Sequence, residues 1–110
     1  MNPSVGNIGQ LSSRFRVTEV LRQVIDPELG INIVDMGLIY LVDIDETTKK
    51  ILIVMTLSTK GCPMGAAISG GVENALEQNF PGYSRTVKLV WEPAWSTDFI
   101  SKYGREQLEL

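Results

Sequence analysis

Blocks of apolar and polar positions along the chain predict a helix, two strands, a helix, a strand and a final helix. Over 14–25, Val17, Val20, Leu21, Val24 and Ile25 recur at helical spacing, with Glu19, Arg22 and Gln23 on the opposite face. Asp26-Pro27 predicts the stop, because the residue before a proline is driven out of the helical region, and Gly30 allows a turn. Residues 37–44 read Gly-Leu-Ile-Tyr-Leu-Val-Asp-Ile, a strand, and 50–57 are a second strand rich in Ile, Val and Leu. The polar stretch 45–49 between them predicts a hairpin. Both strands are apolar at nearly every position, whereas a sheet wet on one side alternates. Both faces are therefore expected to be covered, by helices on one side and by a helix or a partner subunit on the other.

Further along, Met64, Ala67, Ile68, Gly71, Val72, Ala75 and Leu76 form the stripe of a second helix ending near Asn79. Gly71 lies in the middle of that stripe, where close approach of another backbone offsets a glycine's cost of about 1 kcal/mol, while Gly70 faces outward without a reason in the pattern. Pro81-Gly82 marks a turn, and 83–91 are a third strand with Val87, Leu89 and Trp91 on one face. Ser96 is the expected N-cap of the last helix, with Asp98 in its first turn and Lys102 and Arg105 near its end. The strand-helix-strand unit in the middle should place its strands parallel through a right-handed crossover. The expectation is an α+β (α/β two-layer) domain, with a small mixed three-stranded sheet packed with helices. Residues 1–13, polar and without period, are expected to be a flexible N-terminal lead-in, and 14–110 a single domain.

Composition narrows the chemistry. The 110 residues are 44% apolar and 21% charged with a net charge of −3, which suits one folded domain and lacks the basic footprint of a nucleic-acid binder. There is no histidine, so Ser-His-Asp and Cys-His mechanisms and His-ligated zinc are excluded. The one cysteine, Cys62, rules out an internal disulfide, a CxxC pair and a four-thiolate site from a single chain. Such cysteine usage favours a reducing cytoplasm. No apolar signal core and no run of about 18 apolar residues is visible, so no membrane association is expected.

Thr59-Lys60-Gly61-Cys62-Pro63 joins the second strand to the second helix. Pro63 fits a first helical position, so Cys62 falls near the N-cap, where free N–H groups and the helix dipole stabilise a thiolate. Gly61 permits close approach and Lys60 adds a positive charge. The alternative is a small buried hydrophobe, the common fate of a free cysteine. Asp26 and Glu28 form a second candidate, two carboxylates on a tight turn that could assist a metal or take a proton, set against a helix stop with solvated acids. Asp35 reads as a turn residue bonded to nearby backbone. Trp91 and Trp95 read as core or partner contacts.

Taken together, Asp26-Pro27-Glu28-Leu29-Gly30 with 32–40 (Asn-Ile-Val-Asp-Met-Gly-Leu-Ile-Tyr), the loop 55–63 (Met-Thr-Leu-Ser-Thr-Lys-Gly-Cys-Pro) and 92–98 (Glu-Pro-Ala-Trp-Ser-Thr-Asp) resemble the three signatures of the SufT/PaaD-like family of metal–sulfur cluster biosynthetic factors. The resemblance runs from about Val17 to Leu108. It implies an iron–sulfur cluster assembly or maturation factor, not an enzyme, that helps transfer or target clusters to client proteins. It carries the functional cysteine over to Cys62, the hydroxyl residues to Ser58 and Thr59, and the acids to Asp26 and Glu28. Ser58 stands where threonine is common in the family, and Gly70-Gly71 departs from its more polar helix. One thiolate cannot satisfy a cluster that normally takes four cysteines. The implied iron–sulfur cluster is therefore transient, shared between the chains of a homodimer, or completed by a partner or small thiol. The implied partners are iron–sulfur assembly proteins and client apoproteins. The competing expectation is a metal-free adaptor that bridges the assembly machinery and its clients. A cysteine enzyme would need an external base or resolving thiol.

Overall fold

The computed structural model describes residues 3–58 and 65–109, with side chains from Ser12 onward. The first helix, α1, spans Pro3–Leu21 and so begins well before the expected start at Arg14. The segment expected as a lead-in is helical from Pro3. A proline is tolerated at a first helical position, and each residue added to an existing helix gains a hydrogen bond without the cost of nucleation. Ser13 is buried and its hydroxyl donates to Glu46 Oε1 at 2.6 Å, which ties this part of the helix to the hairpin turn.

α1 also ends earlier than its apolar stripe suggests. Val24 is buried, but Ile25 is half exposed, because the chain leaves the helix and forms a two-stranded ribbon. Strand β1 (Ile25–Asp26) pairs antiparallel with β2 (Ile31–Asn32). Elements this short leave no periodicity to read. Gly30 closes the turn at φ +73, and its N–H donates to Asp26 O at 2.8 Å.

The main sheet is mixed and three-stranded, as expected. β3 (Ile39–Asp45) pairs antiparallel with β4 (Lys50–Met55), and β4 pairs parallel with β5 (Ser84–Leu89), in the order β3-β4-β5. The register shifts between Ile39 and Leu41, so Tyr40 is the extra residue of a bulge. Asp45 Oδ1 accepts from the N–H groups of Thr47 and Thr48, an Asx turn that closes the hairpin.

Helix α2 spans Gly65–Asn79 and buries Ile68, Val72, Ala75 and Leu76. It packs with α1 on one face of the sheet, over Ile44, Ile51, Ile53 and Met55. Gly71 allows a close approach, but by a side chain: an added Cβ would lie 3.2 Å from Val24 Cγ1. Around Gly70 there is open space. The C-terminal segment differs from its expected form. Ser96 caps a short 3-10 turn (Thr97–Phe99), and Ser101 caps the last helix, α3 (Lys102–Leu108), accepting from Gly104 N–H at 3.1 Å.

Candidate functional site

Beyond Met55 the chain stays in the ladder for one more residue: Thr56 N–H donates to Leu38 O and Val90 N–H donates to Met55 O, each at 2.9 Å. Thr56, Leu57 and Ser58 then line a groove of about 260 Å³ with Trp91, Glu92, Ala94 and Trp95. The far wall is held by side chains of the sheet and its approaches. Trp95 Nε1–H donates to Met36 O at 2.7 Å, and the Tyr40 hydroxyl donates to Pro93 O at 2.7 Å. The Tyr40 ring meets Phe99 edge-on at 6.0 Å. Burial pushes the Tyr40 phenol above its ordinary pKa; the Thr56 hydroxyl beside it opposes the shift and the Glu92 carboxylate adds to it.

From Ser58 the chain runs on to Cys62, and the described structure resumes at Gly65. Thr59 and Cys62 both lie outside the described residues. Leu57 and the start of α2 meet: a Cβ at Gly65 would come 2.6 Å from Leu57 Cδ1, so α2 starts against a residue just beyond the end of β4. A glycine is needed at that contact. Ser58 is half-buried at the groove. Tyr40, Thr56 and Glu92 were not singled out as site residues from sequence. Their signal was present, since each falls inside one of the three signatures.

The paired acids of the ribbon turn part company. Asp26 is 2% exposed, and its Oδ1 accepts from Glu28 N–H at 2.9 Å. It folds the turn. The Glu28 side chain is exposed. Neither lines the groove at Ser58. Among the described residues no three His, Cys, Asp or Glu side chains gather as a metal-binding group.

Asp35 carries far more than local backbone. Its Oδ2 accepts from Arg22 Nη1 at 2.7 Å and Asn32 Nδ2 at 2.6 Å, and its Oδ1 accepts from the Ser101 hydroxyl at 2.6 Å. Burial works against its charge, but the bonds from Ser101, Asn32 and Arg22 outweigh it and hold its pKa below the usual carboxylate value. Burial likewise opposes the charge on Arg22, and its bonds to Glu19 and Asp35 outweigh that and raise its pKa. This network joins α1, the turn and α3, and so fixes the segment that carries Trp95 and Phe99.

Compared with known proteins, residues 14–89 match the family model described as iron-sulfur cluster assembly protein. The chain belongs to that family. Among its relatives in the iron–sulfur cluster assembly family is the Fe-S protein maturation auxiliary factor YitW of Bacillus subtilis, 42% identical over 82% of this chain and 87% of that one. The Fe-S protein maturation auxiliary factor SufT of Staphylococcus aureus is 42% identical over 74% of this chain and 92% of that one. The crystal structure of a domain of unknown function, DUF59, from Bacillus anthracis superposes with a TM-score of 0.87 at 35% identity, covering 94% of this chain and 98% of that one. The α+β architecture, including the C-terminal segment beyond the family match, is thus that of the assembly-protein fold. No described helix is long and apolar enough to cross a membrane.

Proposed function

We propose that this chain is an iron–sulfur protein maturation factor that takes a cluster as cargo and passes or targets it to client apoproteins. The observation that carries this reading is its 42% identity, over most of both chains, to proteins named Fe-S protein maturation auxiliary factors. In this reading it works beside iron–sulfur assembly proteins in the cytoplasm and catalyses no reaction of its own. Cys62 is a labile cluster ligand. The sequence supports this, because Pro63 suits a first helical position and so puts Cys62 near a helix start, a setting that favours a thiolate. Ser58 and Thr59 supply hydroxyl donors to sulfur, and Asp26 and Glu28 supply either an oxygen ligand or a hydrogen-bond partner. Asp26 Oδ1 accepts from Glu28 N–H, so that task falls to Oδ2.

One thiolate leaves the remaining ligand positions to another molecule. Weak, incomplete ligation is what a donor needs, because the cargo must leave. Anaerobic reconstitution with iron and sulfide tests the reading, comparing the wild type with Cys62→Ser. The expected outcome is a visible charge-transfer absorbance and bound iron and sulfide in the wild type, both lost in the variant. Equal and negligible iron in both would overturn the ligand role and leave a metal-free adaptor.

A further inference from the structure

The groove at the end of β4 contains a hydroxyl whose bonding is incomplete. Thr56 is 1% exposed, and its Oγ1 is closed off from solvent with no hydrogen-bond partner among the described residues. It stands beside the Tyr40 phenol without the geometry of a bond. The phenol cannot supply what is missing. A tyrosine hydroxyl has one proton, and that of Tyr40 goes to Pro93 O at 2.7 Å. Thr56 can turn its own proton toward the Tyr40 oxygen, which leaves the lone pairs of Oγ1 for a donor from elsewhere. A buried polar atom in this state is costly, and the cost is recovered when a donor arrives.

The groove also selects the charge of that donor. Burial is the main cause of the raised Tyr40 pKa; the Glu92 carboxylate adds to the rise and the Thr56 hydroxyl opposes it. Both groups thus act on one phenol, and both line the groove. Glu92 is exposed, and among the described residues it has no ion pair. Trp91 and Trp95 complete the walls. The Trp95 N–H is spent on Met36 O, so this residue offers a ligand ring surface and not a donor. Indole surface and a carboxylate both favour a cation. An anion would be repelled by Glu92, and an apolar ligand would leave Thr56 unbonded.

We propose that this groove binds an arginine side chain presented by a polypeptide partner. The guanidinium donates to Thr56 Oγ1 and to the Glu92 carboxylate, and its flat face lies along an indole. A guanidinium carries five N–H donors in one plane, so it reaches an acceptor and an anion together in a fixed geometry, which an ammonium on a flexible stem does not. A groove of about 260 Å³ admits a side chain and leaves the partner's backbone outside. Because Oγ1 is closed off, the exposed Glu92 side chain turns with the cation as it enters. That the partner is a client or an assembly protein rests on the function proposed above; the chemistry of the groove does not.

The chain has two tryptophans and both line the groove, so the two indole N–H resonances of the isotope-labelled, metal-free full chain report its occupancy. The probe is acetyl-Gly-Arg-Gly-amide, and the control is the same peptide with citrulline, which keeps the shape and removes the charge. Saturating shifts are expected with the arginine peptide, and binding about tenfold weaker with citrulline. Glu92→Gln should weaken the arginine peptide about fivefold and Thr56→Val about tenfold, as an exposed ion pair and a charge-assisted hydrogen bond respectively. Thr56→Val also separates a binding hydroxyl from a structural one. Valine puts a methyl where the unbonded hydroxyl was, so the urea midpoint should hold or rise. A lower midpoint with unaltered peptide binding would assign the hydroxyl to the fold and overturn the proposal. Equal binding of the two peptides, or saturation by neither, would overturn it too, and Glu92→Gln, at an exposed site, keeps the test decisive if Thr56→Val unfolds. Free arginine binding more tightly than the peptide would overturn the assignment to a polypeptide partner. Iron content after reconstitution reads Cys62 separately: it can be lost in Cys62→Ser with peptide binding intact.

Discussion

The turns at 26–30 and 32–37 follow one another in sequence and are built from similar parts. Each carries a buried aspartate, and each ends on a glycine in the left-handed region, Gly30 at φ +73 and Gly37 at φ +78. Their bonding differs sharply. The Asp26 carboxylate accepts a backbone N–H within its own turn, while that of Asp35 accepts from Arg22 just after α1, from its own turn and from the cap of α3. The first turn is closed by bonds to Asp26, from Glu28 N–H to its carboxylate and from Gly30 N–H to its carbonyl. The second is a junction through which α1 and the C-terminal segment are held, and with them the wall of the groove at Ser58. A buried acid is therefore weak evidence of chemistry until its partners are counted: the more heavily bonded of the two is the structural one.

The glycines should separate the turns most strongly. At Gly37 a Cβ would collide with the backbone carbonyl of Phe99 and come 2.6 Å from its Cβ, on top of the strain of positive φ. At Gly30 nothing lies within 4 Å, so only the backbone strain applies. Gly37→Ala is expected to cost about 3 kcal/mol and Gly30→Ala about 1 kcal/mol, measured by urea unfolding. Equal losses would mean that the two turns are not different in kind.

Removing the aspartates should rank the same way with smaller differences. Asp35→Ala leaves Arg22, Asn32 and Ser101 without their acceptor and is expected to cost about 2–3 kcal/mol. This sits below the figure for a fully buried pair, because Arg22 is 38% exposed and keeps some hydration. Asp26→Ala removes one acceptor and should cost about 1 kcal/mol. The same bonds set a pH dependence. Asp35 has a folded pKa below its unfolded value, so its contribution is complete above the unfolded carboxyl pKa of about 3.9 and is lost as pH falls through the lower folded value. The stability gap between wild type and Asp35→Asn should therefore be constant near neutral pH and close in acid. A gap that does not change with acid would show that Asp35 bonds equally well when neutral.

Much of the fold could be read in advance because its elements are long enough to show a period. The α1 stripe at Val17, Val20 and Leu21, the hairpin around 45–49 and the parallel return to β5 all follow from spacing. What escaped were features set by contacts distant in sequence. Asp35 looks like a turn residue, and it is one, but its bond to Ser101 spans 66 positions and leaves no local mark. Ser96 and Ser101 are equally good caps by composition, and the longer helix goes to the one bonded to Asp35. The groove was foreshadowed only in outline. Ser58 was named from the resemblance, whereas Tyr40, Thr56 and Glu92 meet there because the bulge at Tyr40 and the chain after Val90 converge on the end of β4.

The mildest substitution sharpens the comparison most. Asp26→Asn keeps the Oδ1 acceptor for Glu28 N–H, the bond that shapes the turn, and removes only the negative charge. Stability should then change by less than about 1 kcal/mol. If Asp26 serves the turn alone, the variant should also bind as much iron in anaerobic reconstitution as the wild type. If its second oxygen assists the cluster, iron per protomer should fall while the urea midpoint stays put, since a neutral amide is a far poorer ligand for iron than a carboxylate. The two readouts separate a turn-forming acid from a cluster-assisting one, because unfolding answers to Oδ1 and iron answers to the charge.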